Sequence, residues 1–130
     1  MKFNPVGWFE IYVQDIEKAT RFYEQVFQLK LENLADPSED ADGNMKMSTF
    51  PMTMDEIPGA SGALVQMEGV ASGGNSTIVY FSSHDCSVEE ARVSQAGGKI
   101  HKSKMSIGAY GFMSLCTDVD GNMFGIHSMT

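Results

Sequence analysis

Two residues of this sequence carry groups suited to acid–base chemistry, and both lie in short extended runs. Alternate residues of a strand share a face, so in residues 8–13 (WFEIYV) Glu10 shares a face with Trp8 and Tyr12. His127 lies in a second such run, residues 123–128 (MFGIHS). A carboxylate in a dry environment can act as a general base, and an imidazole exchanges protons near neutral pH. We therefore predict Glu10 and His127 as catalytic candidates. The alternatives are a Glu10 paired with a lysine and a His127 that is simply a partly exposed strand-end residue.

Aromatic and apolar side chains accompany these two groups. The same alternation puts Ile78 and Tyr80 on one face of residues 77–82, and it puts Met123 on the face of His127. Glycines on both sides of Tyr110 allow the backbone to turn sharply there, and the side chains of residues 110 and 112 would then line the mouth of a cleft. Rings and apolar chains are typical of sites for organic molecules. The predicted ligand-binding residues of this group are Trp8, Tyr12, Ile78, Tyr80, Tyr110, Phe112 and Met123.

The elements that position these residues repeat once along the chain. Asp15 stands where a helix N-cap belongs, and apolar residues follow it at steps of three and four. Ser87, 72 residues later, forms a capping box with Glu90. The predicted strands are residues 8–13, 29–34, 45–50 and 63–67, then 77–82, 99–107, 110–117 and 123–128, and the second helix covers 88–96. This pattern divides the chain into module one (3–70), a linker (71–76) and module two (77–130).

Length and composition limit the class of protein. A chain of 130 residues suffices for one core, and no stretch approaches the roughly 18 apolar residues of a membrane span. The net charge of −8 repels nucleic acid and anionic membranes, so we predict neither as a partner. Acidic residues near the N-terminus, where a signal peptide needs an unbroken apolar run, predict a cytoplasmic protein. Cys86 and Cys116 lack metal-binding spacing and are predicted to be free, buried thiols.

Together these elements predict an α+β fold in which two curled mixed sheets enclose a cleft. One helix covers only one face of a four-stranded sheet, so we expect the uncovered faces to meet around that cleft. The row formed by Trp8, Glu10 and Tyr12, which is aromatic with one charge, is typical of a cleft wall. The alternative is a packed sandwich in which the same residues belong to the core.

Three segments of the sequence resemble a known superfamily. They are YVQDIEKATRFYEQVFQLKL (12–31), IVYFSSHDCSVEEARVSQAGGKI (78–100) and YGFMSLCTDVDGNMFGIHS (110–128). In this order and spacing they resemble the vicinal oxygen chelate superfamily, the group of glyoxalase I, the bleomycin-resistance proteins and the extradiol dioxygenases. The resemblance implies paired βαβββ modules. It also implies a homodimer, because open sheet edges of such modules pair between chains.

Enzymes of that superfamily hold a divalent metal in the cleft, and the resemblance shows where its ligands would fall. The first-strand positions fall on Trp8 and Ile78, and one last-strand position falls on Gly125, none of which can coordinate a cation. Gln66 matches the remaining position loosely and joins the predicted ligand-binding residues. We therefore expect no metal cofactor. The alternative is a divalent metal held by Glu10, Gln66 and His127.

The resulting functional prediction is a glyoxalase-like protein that binds a small organic ligand in an apolar cleft without the superfamily's metal centre. The rings of Trp8, Tyr12 and Tyr80 would hold the ligand, and Glu10 would supply charge. The alternative is an enzyme, namely a lyase, isomerase or dioxygenase that uses a metal or uses Glu10 or His127 as an acid or base.

Overall fold

The computed structural model describes residues 8–34, 44–53, 58–74 and 77–130. Its elements are β1 (Trp8–Tyr12), α1 (Ile16–Phe27), β2 (Glu32–Leu34), β3 (Met45–Thr49), β4 (Ser61–Met67), β5 (Val79–Ser82), α2 (Cys86–Val93), β6 (Lys99–Ser106), a short helical turn (Gly108–Tyr110), β7 (Phe112–Thr117) and β8 (Met123–Ser128). Strand, helix and three strands therefore follow one another twice, as the sequence predicts. Residues 3–7 of predicted module one and residues 75–76 of the predicted linker lie outside the described residues. In the described ranges, no helix has the length and apolar character needed to cross a membrane.

The first helix begins where the sequence predicts it. Asp15 caps α1, since its carboxylate accepts hydrogen bonds from the Glu17 and Lys18 amides at 3.1 and 3.2 Å. Residues at helical spacing then point to one side, which is the apolar face that the sequence pattern indicates. The buried residues of α1 are Ala19, Phe22, Tyr23 and Val26.

The second helix begins earlier than predicted. Asp85 is its N-cap, because the Asp85 carboxylate accepts a hydrogen bond from the Ser87 amide at 3.0 Å. The prediction of a capping box at Ser87 and Glu90 is therefore wrong. Glu90 instead accepts a hydrogen bond from the backbone amide of Lys104 at 2.6 Å. The helix covers Cys86–Val93 rather than residues 88–96.

Each module forms one mixed four-stranded sheet. The strand orders are β1-β4-β3-β2 and β5-β8-β7-β6. In each sheet the first strand runs parallel to the last strand of its module, and the other neighbours are antiparallel. This confirms the predicted α+β class with paired βαβββ modules.

Both helices lie on the same side of the two sheets and share one hydrophobic core. Phe9 on β1 contacts Phe81 on β5 with ring centroids 5.9 Å apart, and Tyr23 on α1 contacts Phe124 on β8 with centroids 5.8 Å apart. The helix-covered faces of the two sheets therefore adjoin along β1 and β5. We call the opposite, uncovered side of the two sheets the open face.

The open face is accessible to solvent. The side chains of Trp8 and Tyr80 are 41% and 49% exposed, so the two sheets do not close over each other as a packed sandwich would. The predicted free thiols, Cys86 and Cys116, are both buried on the helix side. The open face, and not the core, is therefore where the predicted site residues must be sought.

Candidate functional site

On β1 the predicted alternation brings three side chains into direct contact. Trp8 donates a hydrogen bond from Nε1 to Glu10 Oε2 at 3.2 Å, and the Tyr12 hydroxyl donates to Glu10 Oε1 at 2.9 Å. Each carboxylate oxygen thus accepts one bond from an aromatic side chain of the same strand. We call Trp8, Glu10 and Tyr12 the β1 triad.

The Tyr12–Glu10 bond affects the acidity of Tyr12. The pKa of the Tyr12 phenol is raised, first because it donates to Glu10 and further by partial burial and by the charge of Glu10. Tyr12 therefore stays protonated near neutral pH and keeps donating to the carboxylate.

On module two a glycine and a ring occupy the corresponding part of the open face. Tyr80 on β5 pairs directly with Gly125 on β8. A Cβ atom added at Gly125 would overlap the ring of Tyr80, closer than real Cβ atoms approach their neighbours. The Tyr80 ring therefore fills the space that a side chain at position 125 would need, and a glutamate there would have to displace it.

His127 lies two residues further along β8 and bonds to the turn before β7. Its Nε2 lies 2.6 Å from the backbone carbonyl oxygen of Tyr110. Since a carbonyl only accepts, Nε2 carries the proton in this contact, and Nδ1 is the nitrogen left for other partners. The Tyr110 side chain itself is 76% exposed.

A cavity of about 240 Å³ lies at the junction of the two modules, between β1, the linker after β4 and the start of β8. Glu10 and Tyr12 of the β1 triad line it, together with Met123 from β8. Apolar groups supply much of the remaining wall, among them Val70 and Val79. The structure thus gathers three of the predicted site residues around one space at the junction of the modules.

Two predicted ligand-binding residues lie on the other side of their sheets. Gln66 accepts a hydrogen bond from the amide of Ile16, the first residue of α1, at 2.8 Å. Phe112 packs against the shared core, with Lys104 Nζ 4.7 Å from its ring centroid. The structure therefore corrects the face expected for both residues. Ile78 directly precedes β5 and is 36% exposed.

The sheet register allows the metal positions implied by the resemblance to be matched between modules. Tyr80 pairs with Gly125 in module two, and Glu10 pairs with Ala63 in module one. The module-one counterpart of Gly125 is therefore Ala63, and not Gln66. The positions concerned carry Trp8, Ala63, Ile78 and Gly125, none of which offers a ligand for a divalent cation.

The alternative metal set does not fit either. Gln66 lies on the helix side, while Glu10 and His127 already bond to neighbours on the open face. Across the part of the chain that the structure describes, no group of three or more His, Cys, Asp or Glu side chains could hold a metal ion. The residues present therefore do not fit the divalent metal that the superfamily implies.

Sequence reasoning missed a polar network that joins the modules. The buried carboxylate of Asp118 accepts hydrogen bonds from the Tyr23 hydroxyl at 2.8 Å and from Asn122 Nδ2 at 3.1 Å. Asn122 Nδ2 also donates to the Tyr12 carbonyl at 3.0 Å, at the end of the β1 triad. Burial, reinforced by Asp118, raises the pKa of Tyr23 well above its ordinary value, so Tyr23 remains a donor.

The same turn makes a second bond to module one. The Gln14 amide donates to Asp120 Oδ1 at 3.2 Å, while Asp120 Oδ2 is buried with no hydrogen-bond partner among the described residues. Burial raises the pKa of Asp120, so its ionisation costs stability as the pH rises through the raised value. The available signal was the motif DVDGN (118–122), whose polar side chains exceed what a simple turn needs.

Comparison with known proteins supports the resemblance seen in the sequence. The family model of the Glyoxalase/Bleomycin resistance protein/Dioxygenase superfamily matches residues 5–126. Among solved structures, hypothetical protein SA1046 from S. aureus has a TM-score of 0.67 at 17% identity, over 97% of this chain and 95% of that one. A glyoxalase-related enzyme from Fulvimarina pelagi has a TM-score of 0.65 at 16% identity, over 97% and 88%.

Glyoxalase I from Zea mays has a TM-score of 0.72 at 21% identity, over 96% of this chain and 46% of that one, so this chain spans about half of the maize protein. No curated protein matches the chain. At these identities the structural similarities show the fold alone.

Proposed function

We propose, from the premise that this chain belongs to the Glyoxalase/Bleomycin resistance protein/Dioxygenase superfamily, that its open face binds a small organic molecule without a metal. One fold hosts many chemistries, so the proposal rests on the site itself. The observation that carries it is the ring of Tyr80 packed across Gly125, where the resemblance places a metal ligand. A side chain able to coordinate a cation would have to displace that ring.

The surface that remains suits an organic ligand. The rings of Trp8 and Tyr80 are partly exposed, and aromatic faces provide large contact areas for organic groups. The cavity at the module junction is small and largely apolar, with one carboxylate at its edge. We assign ligand contact to the open-face members of the predicted set, which are Trp8, Tyr12, Ile78, Tyr80 and Met123.

Fluorescence offers a direct test, because Trp8 is the single tryptophan of the chain. Titration with benzyl alcohol as a probe is expected to change the Trp8 emission saturably. Met123→Ala should weaken this response, since Met123 lines the cavity. Met52→Ala is the matched control, because Met52 is 56% exposed and lies outside the site, and it should leave the response unchanged.

Calorimetric titration with Ni²⁺, Zn²⁺ and Mn²⁺ tests the metal-free part of the proposal. We expect no stoichiometric uptake by protein purified without chelator. Uptake of one ion per chain that disappears in Glu10→Gln or His127→Ala would overturn it.

Acid–base catalysis by Glu10 or His127 is the alternative function, and one contact favours it. His127 bonds to the Tyr110 carbonyl through Nε2, which leaves its Nδ1 to accept a proton from a ligand. The test is deuterium incorporation from D₂O next to the carbonyl of 4-phenyl-2-butanone, a small aromatic ketone. Acid–base catalysis requires incorporation that falls in Glu10→Gln or in His127→Ala.

The proposed homodimer would form through the outer sheet edges. These edges are β2 and β6, which have no partner strand on their outer sides within the described ranges. Along β6 every residue except Lys104 is exposed. Light scattering is expected to give twice the chain mass at micromolar concentration, and a monomer would contradict the proposal.

A further inference from the structure

The charge of Glu10 is solvated by neutral groups. Its two oxygens accept hydrogen bonds from Trp8 Nε1 and from the Tyr12 hydroxyl, and neither donor carries a positive charge. Among the described residues the ion pair joins Lys104 and Asp85 and does not involve Glu10. The β1 triad therefore holds a carboxylate that is hydrogen-bonded on both oxygens but not neutralised.

This arrangement favours one kind of cation over another. A primary ammonium brings three strongly hydrated N–H donors, and it loses part of that hydration when it packs against the apolar cavity wall. Glu10 is exposed but each of its oxygens already accepts one hydrogen bond, so it replaces that hydration only in part. A quaternary ammonium brings no donor and needs only negative charge and aromatic faces. Trp8 and Tyr12 direct their donor edges at Glu10, so a cation beside the carboxylate would contact these rings on their faces, above or below those edges.

The cavity beside Glu10 also favours a quaternary ammonium group. Glu10 and Tyr12 line the cavity of about 240 Å³ with apolar neighbours such as Val79 and Met123, against which methyl groups can pack. The chain's net charge of −8 also favours the approach of cations.

Resting on the function proposed above, we infer that the ligand carries a quaternary ammonium group, seated against Glu10 and the ring faces of the β1 triad, next to the apolar wall of the cavity. The recognition is electrostatic and dispersive, and it uses no hydrogen bond from the ligand's nitrogen. The site therefore discriminates against primary amines of the same shape.

Four benzyl compounds test the inference with the same ring and different head groups. They are benzyltrimethylammonium, benzylammonium, benzyl alcohol and phenylmethanesulfonate, each titrated against Trp8 fluorescence and checked by calorimetry. We expect benzyltrimethylammonium to bind about fivefold more tightly than benzylammonium and benzyl alcohol. Phenylmethanesulfonate should bind most weakly, because its charge has the wrong sign.

Substitutions of Glu10 and Tyr12 distinguish direct recognition of the cation from a structural role of these residues. Glu10→Gln keeps the shape and should bring the affinity for benzyltrimethylammonium down to that for benzyl alcohol. Tyr12→Phe frees one carboxylate oxygen, so it should shift the preference toward benzylammonium, whereas a purely structural role of Tyr12 would weaken both cations equally. Glu32→Gln is the matched control, since Glu32 is an exposed carboxylate on β2, at the far edge of the same sheet. It should leave the preference for benzyltrimethylammonium unchanged.

The outcomes distinguish this inference from the proposed function. If benzyl alcohol binds while benzyltrimethylammonium gains nothing over it, or if benzylammonium binds as tightly, the inference is overturned and the proposed function stands. If none of the four compounds changes the Trp8 emission or gives heat, the proposed function itself fails.

Discussion

Module one and module two place different side chains on matching positions of the same strand pair. Glu10 faces Ala63 across β1 and β4, while Tyr80 faces Gly125 across β5 and β8. In module one Glu10 therefore lies next to the small side chain of Ala63, and its carboxylate is bonded to Trp8 and Tyr12 of the same strand. In module two the Tyr80 ring occupies the space beside a residue without a side chain. The two halves thus supply complementary parts of one open face, which is charge from the first and an aromatic surface from the second.

The helix side shows the opposite relation, because both modules use the same device there. The first amide of α1 donates to Gln66 on β4 at 2.8 Å, and the first amide of α2 donates to Ser128 on β8 at 3.0 Å. In each module the last strand therefore satisfies a helix amide that would otherwise be buried without a partner. The two modules are therefore alike on the helix side, and they differ on the open face.

The strongest test of this comparison concerns the turn that only module two contributes to the junction. Asp118→Ala removes the acceptor of the Tyr23 hydroxyl, of Asn122 Nδ2 and of two backbone amides. We expect a loss of about 3 kcal/mol in the free energy of unfolding, because buried donors lose their partner. Denaturant titration measures it. Tyr23→Phe should cost less, since only one donor is removed, and an equal loss would contradict the network.

A second test exchanges the small residues beneath Glu10 and Tyr80. Gly125→Ala should destabilise by about 2 kcal/mol, because the new methyl group displaces the Tyr80 ring. The reciprocal change in module one, Ala63→Gly, should cost only about 1 kcal/mol through backbone freedom and a lost methyl group. In a Tyr80→Ala background the cost of Gly125→Ala should largely vanish. Equal costs in both backgrounds would show that the ring does not fill that space.

A third test compares the two hydrogen bonds by which the last strand of each module holds the start of its helix. Gln66→Ala and Ser128→Ala should each lower stability by about 1 kcal/mol, because each leaves one helix amide without its acceptor. Hydrogen exchange should quicken at the amide of Ile16 in the first variant and of Cys86 in the second. Faster exchange at only one of the two amides would show that the two modules do not hold their helix starts in the same way.

Local pattern was enough to predict most of the fold. The alternation in β1 correctly separated the row Phe9, Ile11 and Val13 from the row Trp8, Glu10 and Tyr12, because one row is wholly apolar. The start of α2 could not be chosen this way. Asp85 and Ser87 are both good N-caps, and two contacts favour Asp85: its carboxylate accepts from the Ser87 amide, and the Cys86 amide donates to Ser128, 42 residues away in sequence.

The site was harder to predict because it depends on distant residues. Phe112 belongs to a strand that is apolar on both faces, so alternation alone did not fix its side. Asp118 and Tyr23 lie 95 residues apart in sequence, and no local pattern connects them. The contact of Tyr80 with Gly125 likewise required the register of β5 against β8. Residue types predicted the candidates, and the pairing of strands decided which of them meet.

The smallest expected effect concerns the two aspartate caps, which differ in their surroundings. Asp85 in module two bonds Lys104 Nζ at 2.9 Å, whereas the Asp15 carboxylate accepts from the amides of its own helix. Lys104, with help from Ser87, lowers the pKa of Asp85 to about 2. A carboxyl whose folded pKa is lowered stabilises the fold above its unfolded value of about 3.9, and that stabilisation is lost as the pH falls toward 2.

Lys104→Met removes the charge and keeps the length of the side chain, so it should raise the pKa of Asp85 and make the Asp85 cap resemble that of Asp15. Carbon-13 titration of the Asp85 carboxyl measures the shift directly, and the loss of stability between pH 4 and pH 2 should become shallower. Because Asp85 is solvated, the effect on stability at neutral pH should be small. A pKa that stays near 2 in Lys104→Met would mean that Ser87 and the helix amides alone set the acidity of this cap, and the two modules would then begin their helices in the same way.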